Sequence, residues 1–211
     1  MDTPYIHRHF AEVITQAKLE SGATVCEWGS GLGRFSRLLL ARGLLVHGIE
    51  LSPQFADESR RALADQGLSV ECGDIAEVLA GAHQSYDAML GFFVLHHLPE
   101  LQRYFDAAYS SLRPGGRMVF AEPNPFNPLF PLQIGLTPGM RWGAEGGIYR
   151  LTPGSVRRVA AAAGFTRAEI RRYGALPRAP YNWMARVGLE RAPERALPAA
   201  LKPFQLITIR R

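Results

Sequence analysis

A glycine-dense stretch between an apolar run and an amphipathic run is the first place where this sequence could do chemistry. Gly29, Gly31 and Gly33 stand at alternate positions, and Glu27 stands two residues before the first of them. Without Cβ atoms the backbone can turn tightly there, and another molecule can approach its amides. A helix that begins after the glycines points its free N–H groups at that molecule, which suits a carboxylate or a phosphate. The stretch therefore predicts a ligand-binding turn.

The spacing of these glycines does not fit the pattern G-x-G-x-x-G of dinucleotide-binding turns. Counted from Gly29, the third glycine of that pattern falls on Arg34, and Gly33 comes one residue early. Glu27 would also bring negative charge close to a pyrophosphate. A cationic or zwitterionic ligand is therefore favoured, and a nicotinamide dinucleotide is the alternative.

Two further acidic residues follow predicted strands, at the sheet edge where open α/β folds bind ligands. Glu50 ends the apolar run 44–50, and Asp74 follows the short run 68–72. Glu50 lies near the spacing of about 20 residues at which an acid binds ribose hydroxyls, although it could also be an exposed strand-end acid. Asp74 could accept hydrogen bonds from an adenine amino group, with Ile75 against the ring, or it could cap the next helix.

Two adjacent histidines follow the predicted fourth strand, which begins at residue 86. His96 and His97 are the residues of this region whose side-chain pKa suits proton removal near neutral pH. Either could act as a general base, or both could serve packing. Metal binding is not expected, because adjacent histidines point in different directions and no carboxylate partner is evident.

The order of these motifs resembles that of the class I S-adenosylmethionine-dependent methyltransferases. The resemblance extends over about residues 25–165 and includes the run E-x-G-x-G-x-G and the turn Leu112–Gly116 before the fifth strand. It implies S-adenosyl-L-methionine as the cofactor, with Glu27 and the glycine turn at the amino-acid end, Glu50 at the ribose and Asp74 at the adenine. The cofactor-binding residues that it implies are Glu27, Gly29, Ser30, Gly31, Gly33, Glu50, Leu51, Asp74, Ile75, Gly91 and Phe92.

The alternation of predicted strands and helices indicates a single α/β domain over residues 1–211. The resemblance implies a Rossmann-like, doubly wound sheet of seven strands in the order 3-2-1-4-5-7-6, with the last strand antiparallel. A leading helix is predicted within residues 1–22. The proline-rich residues 123–151 are expected as a lid-like insertion, and residues 174–203 as a second irregular insertion.

The methyl acceptor is expected to be a small or lipid-like molecule, methylated on oxygen rather than on carbon or nitrogen. Residues 91–94 are not the Asn/Asp-Pro-Pro-aromatic tetrad found in relatives that methylate exocyclic amino groups. Aromatic residues of the first insertion could wall an apolar substrate or pack as a cover. The candidate substrate residues are Glu122, Asn124, Phe126, Trp142 and Tyr149. An RNA methyltransferase and a non-catalytic cofactor-binding subunit are the alternatives.

The composition is that of a globular protein, with 47% hydrophobic residues, 20% charged residues and a net charge of +5. No apolar run approaches the roughly 20 residues of a transmembrane helix, and no secretory signal is evident, so a cytoplasmic location is expected. Cys26 and Cys72 are expected as buried free thiols. The arginines are spread over many elements, so a nucleic-acid partner is not favoured. The oligomeric state is not indicated.

Overall fold

The computed structural model of this protein describes residues 2–136 and 142–211, and its centre is one mixed sheet. The strands are β1 (Thr24–Trp28), β2 (Leu45–Glu50), β3 (Ser69–Cys72), β4 (Tyr86–Phe92), β5 (Leu112–Pro123), β6 (Arg167–Tyr173) and β7 (Phe204–Arg210). Their order is β3-β2-β1-β4-β5-β7-β6. The first five strands pair in parallel, and β7 is antiparallel to both neighbours. The predicted fold class and strand order are confirmed.

Helices follow the strands and cover both faces of the sheet. They are α1 (Pro4–Ala17), α2 (Arg34–Leu40), α3 (Pro53–Leu63), α4 (Ile75–Leu79), α5 (Leu101–Ser111), α6 (Leu129–Leu136), α7 (Trp142–Glu145), α8 (Pro153–Ala162), α9 (Arg178–Met184) and α10 (Ala192–Ala196). Three of them begin in the same way, with a Ser or Thr cap before a proline. The side chains of Thr3, Ser52 and Thr152 each accept a hydrogen bond from a backbone N–H of the first helical turn. Proline fits there because the N–H groups of the first helical turn have no intrahelical acceptor, so the N–H that proline lacks costs the helix no hydrogen bond.

Two apolar layers hold the sheet between these helices. On one face Trp28 and Phe120 belong to the cluster that contains Phe105 of α5, and all three are fully buried. On the other face Leu90 packs in a cluster with Val13 of α1. Strands buried on both faces are typical of parallel sheets.

Two details of the strands differ from the sequence-based expectation. The turn predicted at residues 113–116 is part of β5, which begins at Leu112, and its pairing with β4 shifts register between Tyr86 and Ala88. Cys26 is buried as predicted, but Cys72 is exposed. The reason is that Cys72 ends β3, which is an edge strand and is covered on fewer sides.

The two predicted insertions consist of short helices rather than long elements, as their proline content suggests. The first contains α6, α7 and a 3-10 helix at Gly146–Arg150. The second contains α9, α10 and 3-10 helices at Ala185–Val187 and Ala199–Leu201. Across residues 2–136 and 142–211, no helix has the length and apolar character that a membrane crossing requires.

Candidate active site

The glycine turn between β1 and α2 has the left-handed backbone that its three glycines allow. The φ angles of Gly29, Gly31 and Gly33 are +63°, +54° and +75°. A Cβ on Gly29 would lie 2.8 Å from Val94 Cγ2, and one on Gly33 would lie 2.6 Å from Leu63 Cδ1. At Gly31, by contrast, the nearest heavy atom would be 4.0 Å away. The turn is thus packed at its two ends and open in the middle, which leaves room for a ligand against the backbone at Gly31.

Glu27 is buried directly before this turn. Its side chain is 1% exposed and accepts a hydrogen bond of 2.5 Å from the Ser36 hydroxyl. Burial raises the pKa of Glu27 to about 8; the hydrogen bond from Ser36 lowers it, and the nearby charge of Glu50 raises it further. A carboxyl group that is costly to ionise in this place would be stabilised in its charged form by a cationic ligand group.

Glu50 connects the end of β2 to the glycine turn. Its carboxylate accepts hydrogen bonds of 2.8 Å from the backbone N–H groups of Gly31 and Ser52. The side chain that follows, Leu51, is 71% exposed. The structure therefore brings the second predicted acid into contact with the predicted turn, with an uncovered apolar side chain beside it.

Asp74 has the capping role that was the alternative in the sequence. It accepts hydrogen bonds from the N–H groups of Ala76 and Glu77, at the start of α4. It also accepts a hydrogen bond of 2.8 Å from the Tyr104 hydroxyl and pairs with Arg103 at 3.1 Å. A contact between Asp74 and an adenine stays a prediction.

The remaining residues assigned to the cofactor are mostly buried. Ile75 is 7% exposed, and Phe92 stacks on Phe35 with ring centroids 3.7 Å apart. A Cβ on Gly91 would lie 2.5 Å from the Phe120 ring, so this glycine is required by packing. Ser30 Oγ is buried and has no hydrogen-bond partner among the described residues. An orphaned polar atom inside the glycine turn fits a ligand that would supply the missing partner.

A buried carboxylate and histidine form a pair where β4 and β5 end. Glu122 is 0% exposed; one of its oxygens accepts the N–H groups of Val94 and Leu95 at 2.8 Å each. Its other oxygen lies 2.6 Å from His96 Nδ1. Because an ionised carboxylate only accepts, Nδ1 carries the proton, and Nε2 is the nitrogen left for other contacts. Nε2 lies 3.5 Å from a carboxylate oxygen of Glu145.

The surroundings of His96 act on its pKa in opposite directions. Burial lowers it, whereas the hydrogen bond to Glu122 and the charges of Glu122 and Glu145 raise it; the charge of Arg150 lowers it slightly again. The net result is a pKa above the usual histidine value. The arrangement gives a histidine that is held in one tautomer and is a stronger base than a free imidazole.

A cavity of about 690 Å³ lies beside this pair. Its polar lining includes His96, His97, Glu145 and Arg178. The apolar side chains around it come mainly from Phe93, Leu129, Phe130, Leu176, Leu201 and Phe204. Tyr5 of the leading helix also lines it. A pocket of this size, with a mainly apolar lining and a few polar groups, suits a small, largely apolar molecule.

Two of the candidate substrate residues have other contacts. Glu122 holds His96 and the loop after β4, as described above. Asn124 is 0% exposed; its amide nitrogen donates to the carbonyls of Ala200 and Lys202, and its oxygen accepts the N–H of Phe126. Both side chains are thus buried with hydrogen-bond partners inside the protein, and direct contact of either with the substrate stays a prediction.

Two of the aromatic candidates of the first insertion, Phe126 and Tyr149, lie outside the cavity wall. Phe126 and Tyr149 are 50% and 47% exposed and do not line the cavity, and the Arg172 guanidinium lies 4.9 Å from the Phe126 ring centroid. The side chain of Trp142 lies outside the part of the chain that the structure describes. Both candidate histidines, His96 and His97, line the cavity.

Phe130, an aromatic residue of the first insertion, lines the cavity, but the sequence reasoning missed the other apolar side chains of the wall. Phe204 begins β7 and pairs in register with Pro123 at the end of β5. The signal was available, because an antiparallel last strand inserted next to β5 must begin at the edge where the parallel strands end. Tyr5 and Phe93 had no comparable local signal.

Comparisons with known proteins agree with this geometry. Residues 26–120 match the family model described as "Methyltransferase domain". The chain is 30% identical over 105 residues to a ubiquinone biosynthesis O-methyltransferase of Coxiella burnetii, covering 49% of this chain and 44% of that protein. It is 29% identical over 161 residues to an arsenite methyltransferase of Halobacterium salinarum, covering 73% and 40%. The chain thus spans less than half the length of these two relatives.

Solved structures share the whole fold at low sequence identity. An S-adenosylmethionine-dependent methyltransferase from Mesorhizobium loti superposes with a TM-score of 0.65 at 22% identity, covering 93% of this chain and 95% of that one. One from Archaeoglobus fulgidus gives 0.67 at 16%, covering 99% and 100%. The family model thus matches residues 26–120 of the chain, and these solved structures show that the chain has the fold of S-adenosylmethionine-dependent methyltransferases.

Proposed function

We propose that the protein binds S-adenosyl-L-methionine and transfers its methyl group to a hydroxyl oxygen of a small, largely apolar acceptor. The observation that carries this proposal is the buried Glu122–His96 pair, whose histidine lines a largely apolar cavity. A base is needed for a neutral hydroxyl but not for a ready nucleophile such as an amine or a thiolate. The pair therefore favours oxygen as the methylated atom.

The residues present fit the cofactor. The open backbone at Gly31 and the unpartnered hydroxyl of Ser30 would receive its amino-acid end, with Glu27 near the amino group. Glu50 would turn from backbone amides to the ribose, and Leu51 would lie against the adenine. When bound, the cofactor supplies a methyl group that is already activated by its sulfonium.

The glycine turn is in direct contact with the loop that follows β4. Val94, which follows β4, packs against Gly29, and His96 is two residues further along the chain. A methyl group carried at the turn would therefore lie near the part of the cavity wall that His96 forms. Positioning of the two reactants and exclusion of water supply a large part of the rate in such a displacement.

The chemical step divides between the acceptor and two side chains. The cofactor held by the glycine turn and Glu50 would supply the methyl group to the acceptor oxygen, and the electron pair of the broken carbon–sulfur bond would stay on sulfur. His96 Nε2 takes the hydroxyl proton, and Glu122 stabilises the imidazolium that forms. The apolar wall excludes water, which would compete with the acceptor.

The relatives support methyl transfer but differ in the acceptor. One matched relative is named a ubiquinone biosynthesis O-methyltransferase, and another is named an arsenite methyltransferase. A structural neighbour at 16% identity and a TM-score of 0.65 is a phosphoethanolamine N-methyltransferase in complex with S-adenosyl-L-methionine. The choice of an oxygen acceptor thus rests on His96 rather than on the relatives.

Calorimetry with S-adenosylmethionine and with NADH tests the cofactor. The expected result is binding of the first alone, weakened by Glu50→Ala and unchanged by Glu20→Ala, which removes an exposed acid before β1.

Transfer of labelled methyl groups to a panel of phenols, hydroquinones and hydroxylated lipids then tests the reaction. His96→Gln should lower that rate by about 10²–10⁴-fold. Binding of NADH instead, or an unchanged rate in His96→Gln, would contradict the proposal.

A further inference from the structure

The second insertion presents a surface with exposed apolar side chains, here called the 174–203 surface after its residues. Trp183, Val187, Leu189 and Leu201 are 67%, 65%, 54% and 42% exposed. Trp183 and Val187 are four residues apart on the run formed by α9 and the 3-10 helix Ala185–Val187, so they share one side of it. Large apolar side chains grouped in this way mark an interaction site more often than a chance surface.

The same surface is basic. Arg178, Arg186 and Arg195 are exposed, and within the described ranges no carboxylate lies at ion-pairing distance from them. The two acids of the segment do not offset this charge at the surface. Glu194 pairs with Arg8 of α1 at 2.9 Å, and an oxygen of Glu190 is buried. The exposed charge that remains is positive.

The cavity of the candidate active site opens onto this surface. Arg178 and Leu201 line the cavity and are exposed, and so is Leu129 of the first insertion, at 64%. The rim of the opening thus includes two apolar side chains and an arginine.

We propose that the 174–203 surface docks the protein onto a bilayer that contains anionic phospholipids. A tryptophan and aliphatic side chains insert at the level of the headgroups, and the surrounding arginines are attracted by the negative surface. An RNA partner would use stacking aromatic side chains, whereas three of the four apolar residues here are aliphatic. A second copy of the chain would bring like charges together.

This docking explains how an apolar acceptor would reach the cavity. An acceptor dissolved in the bilayer would enter between Leu129 and Leu201 without passing through water. That delivery rests on the proposed methyl transfer, but the docking itself does not, because it is a property of the surface alone.

Co-sedimentation with vesicles, without cofactor or acceptor, tests the docking. The protein should bind vesicles of equal parts phosphatidylcholine and phosphatidylglycerol, and not vesicles of phosphatidylcholine alone. The double variant Arg186→Glu/Arg195→Glu should bind at least about tenfold more weakly, and Trp183→Ser/Val187→Ser should lose binding to a similar degree. In the matched controls, Arg61→Glu on α3 and Leu45→Ser on β2, binding should be unchanged. All six substituted positions are exposed, and circular dichroism checks that each variant folds.

Three outcomes would overturn the proposal. The first is no binding to the anionic vesicles by the folded wild-type protein. The second is equal loss of binding in the surface variants and in their controls. The third is that the surface variants lose salt-dependent RNA binding or self-association instead of vesicle binding. The vesicle experiment does not measure methyl transfer. A failure to bind vesicles would therefore not contradict the proposed reaction, and a lack of methyltransferase activity would not contradict the docking.

Discussion

In the Glu122–His96 pair, the carboxylate of Glu122 raises the pKa of His96. If Glu122 raises the basicity of His96, then Glu122→Gln should lower the pKa of His96 and slow the reaction. In the wild-type enzyme the rate should rise with pH as His96 loses its proton, with a midpoint above the ordinary histidine value of 6.5. In Glu122→Gln that rise should shift to lower pH, and the plateau should fall by about 10²-fold or more.

The measurement is the dependence of kcat on pH for both enzymes. His83→Gln, which changes an exposed histidine away from the cavity, should reproduce the wild-type profile. An unchanged midpoint in Glu122→Gln would mean that His96 is not the titrating base.

Glu27 gives a second residue-scale prediction, in which stability depends on pH. Its pKa is about 8 in the folded protein and near the ordinary 4.5 when the chain is unfolded. The folded state therefore binds the proton more tightly, and the stability from the neutral carboxyl is complete below pH 4.5 and is lost as pH rises towards 8. Glu27→Gln stays neutral, so its stability relative to wild type should increase over that range.

Chemical denaturation at several pH values between 4 and 9 measures this difference without cofactor. The same substitution should weaken binding of S-adenosylmethionine by about 10–100-fold, because it removes a charged partner of the amino group. A constant stability difference across pH would show that Glu27 ionises as readily in the folded protein as in the unfolded chain.

At the scale of elements, substitutions in the glycine turn distinguish an effect on cofactor binding from an effect on folding stability. The Cβ of Gly31→Ala would meet open space, so the substitution costs only the strain of a left-handed backbone, about 1–2 kcal/mol in unfolding free energy. Gly33→Ala also forces a Cβ against Leu63, so we expect a loss of about 2–4 kcal/mol in unfolding free energy. Gly31→Ala should nevertheless abolish cofactor binding, because its methyl group fills the place of the ligand.

Gly67→Ala is the matched control for this comparison. Its φ is +80° and a Cβ there meets nothing within 4 Å, so it carries the same backbone strain away from the turn. Thermal unfolding and calorimetry on the three variants should show similar stability for Gly31→Ala and Gly67→Ala, with binding lost only in the first. Normal binding by Gly31→Ala would exclude a ligand at that position.

Much of the sheet and of the cofactor turn was predictable because local chemistry determines it. The turn needs left-handed residues, and Gly29, Gly31 and Gly33 supply them within five positions. The cavity wall was not predictable in this way. Tyr5 and Phe204 are 6.1 Å apart between ring centroids although they come from opposite ends of the chain. Nothing near either residue in the sequence records that contact.

At the scale of the whole molecule, the cavity is assembled from three distant parts of the chain. The backbone N–H of Tyr5 donates to the Asn182 side chain, which ties α1 to α9. Asn127 ties the two insertions together: its amide nitrogen donates to the carbonyl of Leu201 at 2.7 Å, and its oxygen accepts the N–H of Leu129. These contacts join the two leucines at the rim of the cavity through one buried side chain.

Asn127→Ala should therefore loosen the rim without unfolding the sheet. The substitution leaves the Leu201 carbonyl and the Leu129 N–H without partners, at a cost of roughly 1–3 kcal/mol borne by the insertions. Hydrogen exchange should become faster in residues 197–203 and stay slow in β4 and β5, because local opening costs less than global unfolding. KM for the acceptor should rise while cofactor affinity stays unchanged, since the glycine turn is not touched. Gln66→Ala, which removes an exposed amide beyond α3, should change neither quantity. Equal loss of protection in β4 would show instead that the insertions and the sheet open as one cooperative unit.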